Sequence, residues 1–283
     1  MAFVFRFLSR QSLGLLHRIG WLCGWLVYGL SPTYRRRLQE NAALAGVMPA
    51  GVRASIAAAG QMVVELPRLW IGPEVPVQWD GAELIDVSLE SHQGVIFLTP
   101  HLGSFEVTAR AYAQRFGVAQ APMTVLYRPA RQVWLRSIIE ASRRRPGLAT
   151  APANLAGVKQ LIKALRSGQA VGLLPDQVPP EGQGAWVPFF GKPAYTMTLA
   201  ARLVQQTGAR VVLAWGERLA GGKGFRVCVR PFDEALSADV VQATVQINRA
   251  MERVIHELPA QYLWGYARYK QPRQTDVAPE QKG

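Results

Sequence analysis

Three apolar runs dominate the middle of the chain: GVIFLT at residues 94–99, PMTVLY at 122–127 and AVGLLP at 170–175. Each has strand length, and none alternates polar with apolar residues as a half-exposed strand would. Strands of this kind are buried on both faces. Joined by helix-length connections, they form a largely parallel sheet covered by helices. Helical patterns fill the intervals at 50–70, 103–117, 131–143 and 154–167, the last ended by Gly168. Further helices are expected at 195–207, closed by Gly208 in the usual C-terminal capping place, and at 238–257. RVVLAWGE and GFRVCVRPF, joined by RLAGGK, predict an antiparallel strand pair near the end of the sheet. Asp176 to Pro193 is expected to be a long Pro/Gly-rich loop, functional or folded back on the core. The chain has 283 residues and neither an internal repeat nor a convincing interdomain linker. One α/β domain with a largely parallel central sheet flanked by helices is therefore expected.

The N-terminal thirty residues, MAFVFRFLSRQSLGLLHRIGWLCGWLVYGL, are helical in pattern and rich in Phe, Leu and Trp. Arg6, Arg10, His17 and Arg18 interrupt them, and the clean run Ile19 to Leu30 is shorter than the ~18 apolar residues of a plain spanning helix. The expectation is a helix lying in one leaflet, with Trp21, Trp25 and Tyr28 near the headgroups; the alternative is a core helix. Ser31-Pro32 then opens a second helix carrying Arg35, Arg36 and Arg37. The net charge of +13 favours an anionic partner, nucleic acid or an anionic membrane surface. Only 18% of residues are charged, which favours the membrane. No nucleic-acid-binding motif is recognisable. Cys23 and Cys228 make neither a disulfide framework nor a metal cluster.

His101 follows the first apolar run directly, and Glu106 comes five residues later, in TPHLGSFEV. Ligands of open α/β sheets bind beyond the carboxyl ends of the strands, where His101 stands. Five residues apart on one helix would not face each other, so His101 must lie in the turn before it, which Pro100 and Gly103 permit. Glu106 could then accept a hydrogen bond from one imidazole nitrogen and leave the other as a base. No G-x-S-x-G elbow, zinc motif or phosphate-binding loop accompanies the pair. A base without a protein nucleophile points to direct attack by a substrate hydroxyl, as in acyl transfer from a thioester to an alcohol. On spacing alone, a helix-capping histidine and a surface glutamate are the favoured reading.

Four blocks occur in order: TPHLGSFEV, YRP at 127–129, LPDQVPPEGQGAWVPFFGKPA at 174–194 and QYLWGYARYK at 261–270. Together they resemble the bacterial lipid A biosynthesis (lauroyl/myristoyl) acyltransferase family, within the lysophospholipid acyltransferase superfamily and its H-x4-D/E signature. The resemblance covers almost the whole chain. It implies a glycerolipid acyltransferase-like fold, with membrane-associating helices at 1–45 and an acyltransferase domain at 46–270; the polar tail at 271–283 is expected to be disordered. It implies His101 as the base and Glu106 as the group that orients it. Substrate contacts fall to Arg128, to Arg145 or its neighbour Arg143, and to Asp176 and Gln177. The acyl donor would be an acyl carrier protein, whose acidity suits the positive charge, and the acceptor a lipid A precursor. The implied place is the cytoplasmic face of the bacterial inner membrane, with no metal or other cofactor. Another lipid acceptor, a hydrolase using the same pair, and a non-catalytic basic membrane-binding protein are the rival readings.

Overall fold

The computed structural model describes residues 2–127 and 145–274. The helix expected at 131–143 lies outside them, as does the tail from 275. Four helices come first: α1 (Ala2–Ser9), α2 (Leu13–Leu30), α3 (Pro32–Leu44) and α4 (Pro49–Ile71). The single N-terminal helical pattern is thus two helices, parted at Arg10–Ser12, where the Ser12 hydroxyl caps α2 by accepting from Leu15 N. Ser31 caps α3 in the same way through Tyr34 N, with Pro32 in its first turn, as the Ser-Pro pair predicted. α2 is 18 residues long and apolar enough, by length and composition, to cross a membrane. It lies along α4, the two backbones meeting where Gly20 and Gly24 face Gly60; a Cβ on any of the three would overlap the opposite helix.

A seven-stranded sheet follows. Its strands are β1 (Val77–Asp80), β2 (Val95–Leu98), β3 (Met123–Tyr127), β4 (Leu148–Pro152), β5 (Ala170–Leu173), β8 (Arg210–Arg218) and β9 (Phe225–Pro231), in the order β1-β9-β8-β2-β5-β3-β4. All neighbours are parallel except β8 and β9, the expected hairpin. α5 (Glu83–Glu90), α6 (Phe105–Tyr112), α7 (Leu155–Arg166), α8 (Leu199–Thr207) and α9 (Val240–Glu257) connect or cover the strands. Both faces of the central strands are buried. Ile96, Leu98, Val171 and Leu173 pack on one side; Val95, Phe97, Ala170 and Ala214 pack on the other. That double burial is why the runs carry no alternation.

The expected loop from Asp176 to Pro193 is in large part a hairpin, β6 (Gly184–Phe189) with β7 (Lys192–Met197), forming its own two-stranded sheet. Proline is tolerated there because Pro188 and Pro193 sit opposite each other in a ribbon with two free edges. α8 consequently starts at Leu199 rather than 195. It ends at Gly208, whose left-handed backbone (φ 68°) is the cap the sequence predicted. α6 is shorter than its pattern and continues as a π-helical turn over Ala113–Gly117.

Candidate active site

β2 and β5 are parallel neighbours with Leu98 opposite Leu173, and Thr99 N donates to Leu173 O to extend the ladder. His101 and Asp176 each lie three residues beyond those partners, so the two strand ends deliver them to the same place. Each follows a proline that halts its strand, Pro100 and Pro175. The His101 backbone N–H donates to Asp176 Oδ2 at 2.9 Å, and its Nδ1 meets Oδ1 at 2.7 Å. Tyr262 Oη donates to Oδ2 at 3.1 Å. Asp176 is 1% exposed. Burial alone would push its pKa up, but His101 and, more weakly, Arg268 outweigh it and hold the carboxyl below its usual range. An ionised carboxylate only accepts, so Nδ1 carries the proton and Nε2 is left as the basic nitrogen.

This differs from the expected arrangement in two respects. The carboxylate on Nδ1 is Asp176, not Glu106. Asp176, expected to contact substrate, is also buried and engaged by His101 and Tyr262. Glu106, in the first turn of α6, accepts from Trp70 Nε1 at 3.3 Å. His101 and Glu106 nevertheless share one wall of a cavity of about 200 Å3. The rest of that cavity is mostly apolar: Phe97, Tyr112, Met123, Val125 and Ala214 line it, with Gly172 on β5 adding no side chain.

Two guanidiniums complete the lining. Arg145 donates from Nη2 to Trp70 O at 3.1 Å, and burial lowers its pKa. Arg110, one helical turn after Glu106 on the same face of α6, donates to Leu69 O at 2.6 Å. Burial first, then the nearby Arg145 charge, lower its pKa to about 10. Gln177 is half-buried beside Asp176. Arg128 and Arg143 lie outside the described residues. Tyr262 lies in the QYLWGYARYK block but was not singled out there; Trp70 and Arg110 carried no signal beyond the i,i+4 spacing of Glu106 and Arg110. Among the described residues, no three His, Cys, Asp or Glu side chains gather closely enough to hold a metal ion.

A histidine held by a buried carboxylate beside an apolar cavity suits transfer of a long acyl group. The family model for bacterial lipid A biosynthesis acyltransferases matches residues 3–271. The chain belongs to that family. It is therefore an acyltransferase on an α/β scaffold. The lipid A biosynthesis palmitoleoyltransferase of Escherichia coli (strain K12) is 27% identical over 216 residues, 75% of this chain and 68% of that protein. The lipid A biosynthesis myristoyltransferase of the same strain is 27% identical over 206 residues, 72% of this chain and 62% of its own length. The lauroyltransferase is 26% identical over 217 residues, 75% and 69%. The three names differ in acyl chain at nearly equal identity, so identity does not select a chain length for this acyltransferase.

Proposed function

We propose that this acyltransferase moves a fatty acyl chain from an acyl carrier protein thioester to a hydroxyl of a lipid A precursor. The observation that carries the proposal is the Asp176–His101 bond on the wall of an apolar cavity. His101 Nε2 takes the proton of the acceptor hydroxyl as its oxygen attacks the thioester carbonyl. Asp176 keeps the proton on Nδ1 and stabilises the imidazolium that forms. The tetrahedral oxyanion collapses, the C–S bond breaks, and the thiolate leaves with the proton from His101. Ser104, the N-cap of α6, makes no side-chain capping bond, so the first amides of α6 are suited to the oxyanion. Glu106 lies beside the reacting groups at the same cavity wall. The apolar lining receives the acyl chain, and Arg110 with Arg145 favours anionic groups on donor or acceptor.

The same reading places the enzyme on the cytoplasmic face of the inner membrane. α2 turns Leu22 (62% exposed), Leu26 (60%) and Leu30 (75%) outward, and α1 exposes Phe3 and Phe7. Exposed Arg6, Arg10 and Arg18 flank them. The other side of α2 packs on α4, and on this reading α2 lies in one leaflet. An acidic carrier is complementary to a chain of net charge +13.

The test supplies labelled acyl carrier thioesters with lipid A precursor, lysophospholipid or no acceptor, and identifies products by mass spectrometry. Acylated lipid A precursor is expected. Product only on lysophospholipid, or only free fatty acid, would overturn the assignment.

A further inference from the structure

The turn that carries His101 is gripped from a second side. Gly103 N donates to Gln261 O at 2.9 Å and Ser104 N to Gly216 O at 2.7 Å. Gly103 has φ 58°, and a Cβ there would overlap the Gly216 carbonyl, so the turn is wedged against β8. The Gly103 carbonyl accepts from Arg218 Nη2 at 3.2 Å. That guanidinium is in turn fixed by Glu65 of α4, Nε to Oε2 at 2.7 Å and Nη2 to Oε1 at 2.6 Å. Glu65 Oε2 also meets His17 Nε2 of α2 at 3.0 Å. Glu65 is fully buried. Desolvation pushes its pKa up, but Arg218 and then His17 outweigh it and keep the carboxyl low. α4 reaches the motif a second time through Trp70 and Glu106.

A buried Glu–Arg pair is an inefficient source of stability, since desolvation offsets most of its attraction and apolar residues of the same volume serve as well. It does deliver one donor to one carbonyl with fixed direction. The planar fork of Arg218 supplies both the Glu65 and the Gly103 bonds, which a lysine ammonium cannot do in that geometry. We propose that Glu65 is a positioning residue of the acyl transfer reaction. Through Arg218 it holds the Gly103 carbonyl, and with it the His101 turn. Through His17 it makes the lipid-facing helix α2 part of the same scaffold. The role rests on His101 being the base.

The test compares Glu65→Gln, Arg218→Lys and His17→Gln with the full-length wild type in detergent. Each variant is checked for folding by circular dichroism. The chain has four histidines, so selective 15N labelling gives few enough ring signals to assign His101 with the His101→Ala variant. Glu65→Gln and Arg218→Lys are expected to lower kcat about tenfold or more, with KM changed by less than about twofold. The Nδ1–H signal of His101 should shift or broaden in both, and in His17→Gln to a smaller degree. Arg230→Ala, which breaks the surface pair with Asp80, should leave kcat and signal unchanged. A folded Glu65→Gln with wild-type kcat and an unmoved His101 signal would overturn the proposal. Should Glu65→Gln fail to fold, the His101 signal in Arg218→Lys and His17→Gln decides in the same way. If the wild type acylates no acceptor, the functional reading fails, and the His101 signal still decides whether Glu65 positions the turn.

Discussion

Replacing Asp176 with Asn tests the site at the point where it departs from the His-Glu pattern. The carboxylate accepts from the His101 amide, from His101 Nδ1 and from Tyr262, all at 2.7–3.1 Å. An amide of the same shape has one acceptor atom and one donor. Two donors, the His101 N–H and the Tyr262 hydroxyl, converge on Oδ2, so the amide oxygen is drawn there. The amide NH2 then faces Nδ1. Nδ1 becomes the acceptor, Nε2 takes the proton, and the base is lost. The same tautomer error in a Ser-His-Asp triad costs about 10^4 in kcat. Here a loss of about 10^3 to 10^4 is expected, or about 4–5.5 kcal/mol of barrier. Stability should fall by only about 1–3 kcal/mol, because losing charge-assisted bonds is partly offset by no longer burying a charge. Thiol release from the acyl donor measures the first quantity and urea unfolding the second. A folded Asp176→Asn enzyme within tenfold of wild-type kcat would refute this reasoning. So would a Glu106→Gln enzyme that alone loses activity, which would return the orienting role to Glu106.

Acid should unfold the protein through Asp176 and Glu65. Both carboxyls are depressed in the fold, so their contribution is present above the unfolded values near 4 and is lost as pH falls through the lower folded values. The urea midpoint should therefore drop below about pH 4, and the drop should be shallower in Asp176→Asn; equal slopes would contradict it. Gly172→Val should shift donor preference towards shorter acyl chains, since a Cβ there already meets Val125 Cγ1 at 3.0 Å and Met123 Sδ at 3.3 Å on the cavity floor. Competition between donors of different length reads this, and an unchanged preference would place the acyl chain elsewhere.

The parts of the fold legible in the sequence were those with both faces buried or with a specific cap. VIFL needs no neighbour to announce a central strand, and Ser31-Pro32 and Gly208 mark helix ends by local chemistry. β1, with its alternating VQWD, and β4, LATAP, are short edge strands whose pairing is decided by the sheet, not by their composition. The β6–β7 hairpin was hidden by prolines and glycines that signal a loop when pairing is unknown. His101 was found because its turn is local to its strand. The Asp176 carboxylate on its Nδ1 was not legible, because Asp176 is 75 residues away and β2 and β5 become neighbours only after the chain has laid down β3 and β4. A local hint existed. Both FLTPH and LLPDQ end an apolar strand on proline and follow it with a polar residue. The partner of His17 is likewise distant: Glu65 lies 48 residues on in α4, and the two meet only because α2 and α4 pack together.

The central claim is that His101, held by Asp176, is the base of acyl transfer to a lipid hydroxyl. The most direct measurement is the rate of labelled acyl transfer from an acyl carrier thioester to a lipid A precursor, wild type against His101→Ala of equal foldedness. Transfer in the wild type and a loss of about 10^3-fold or more in the variant is predicted. Transfer at an undiminished rate without His101 would contradict the account.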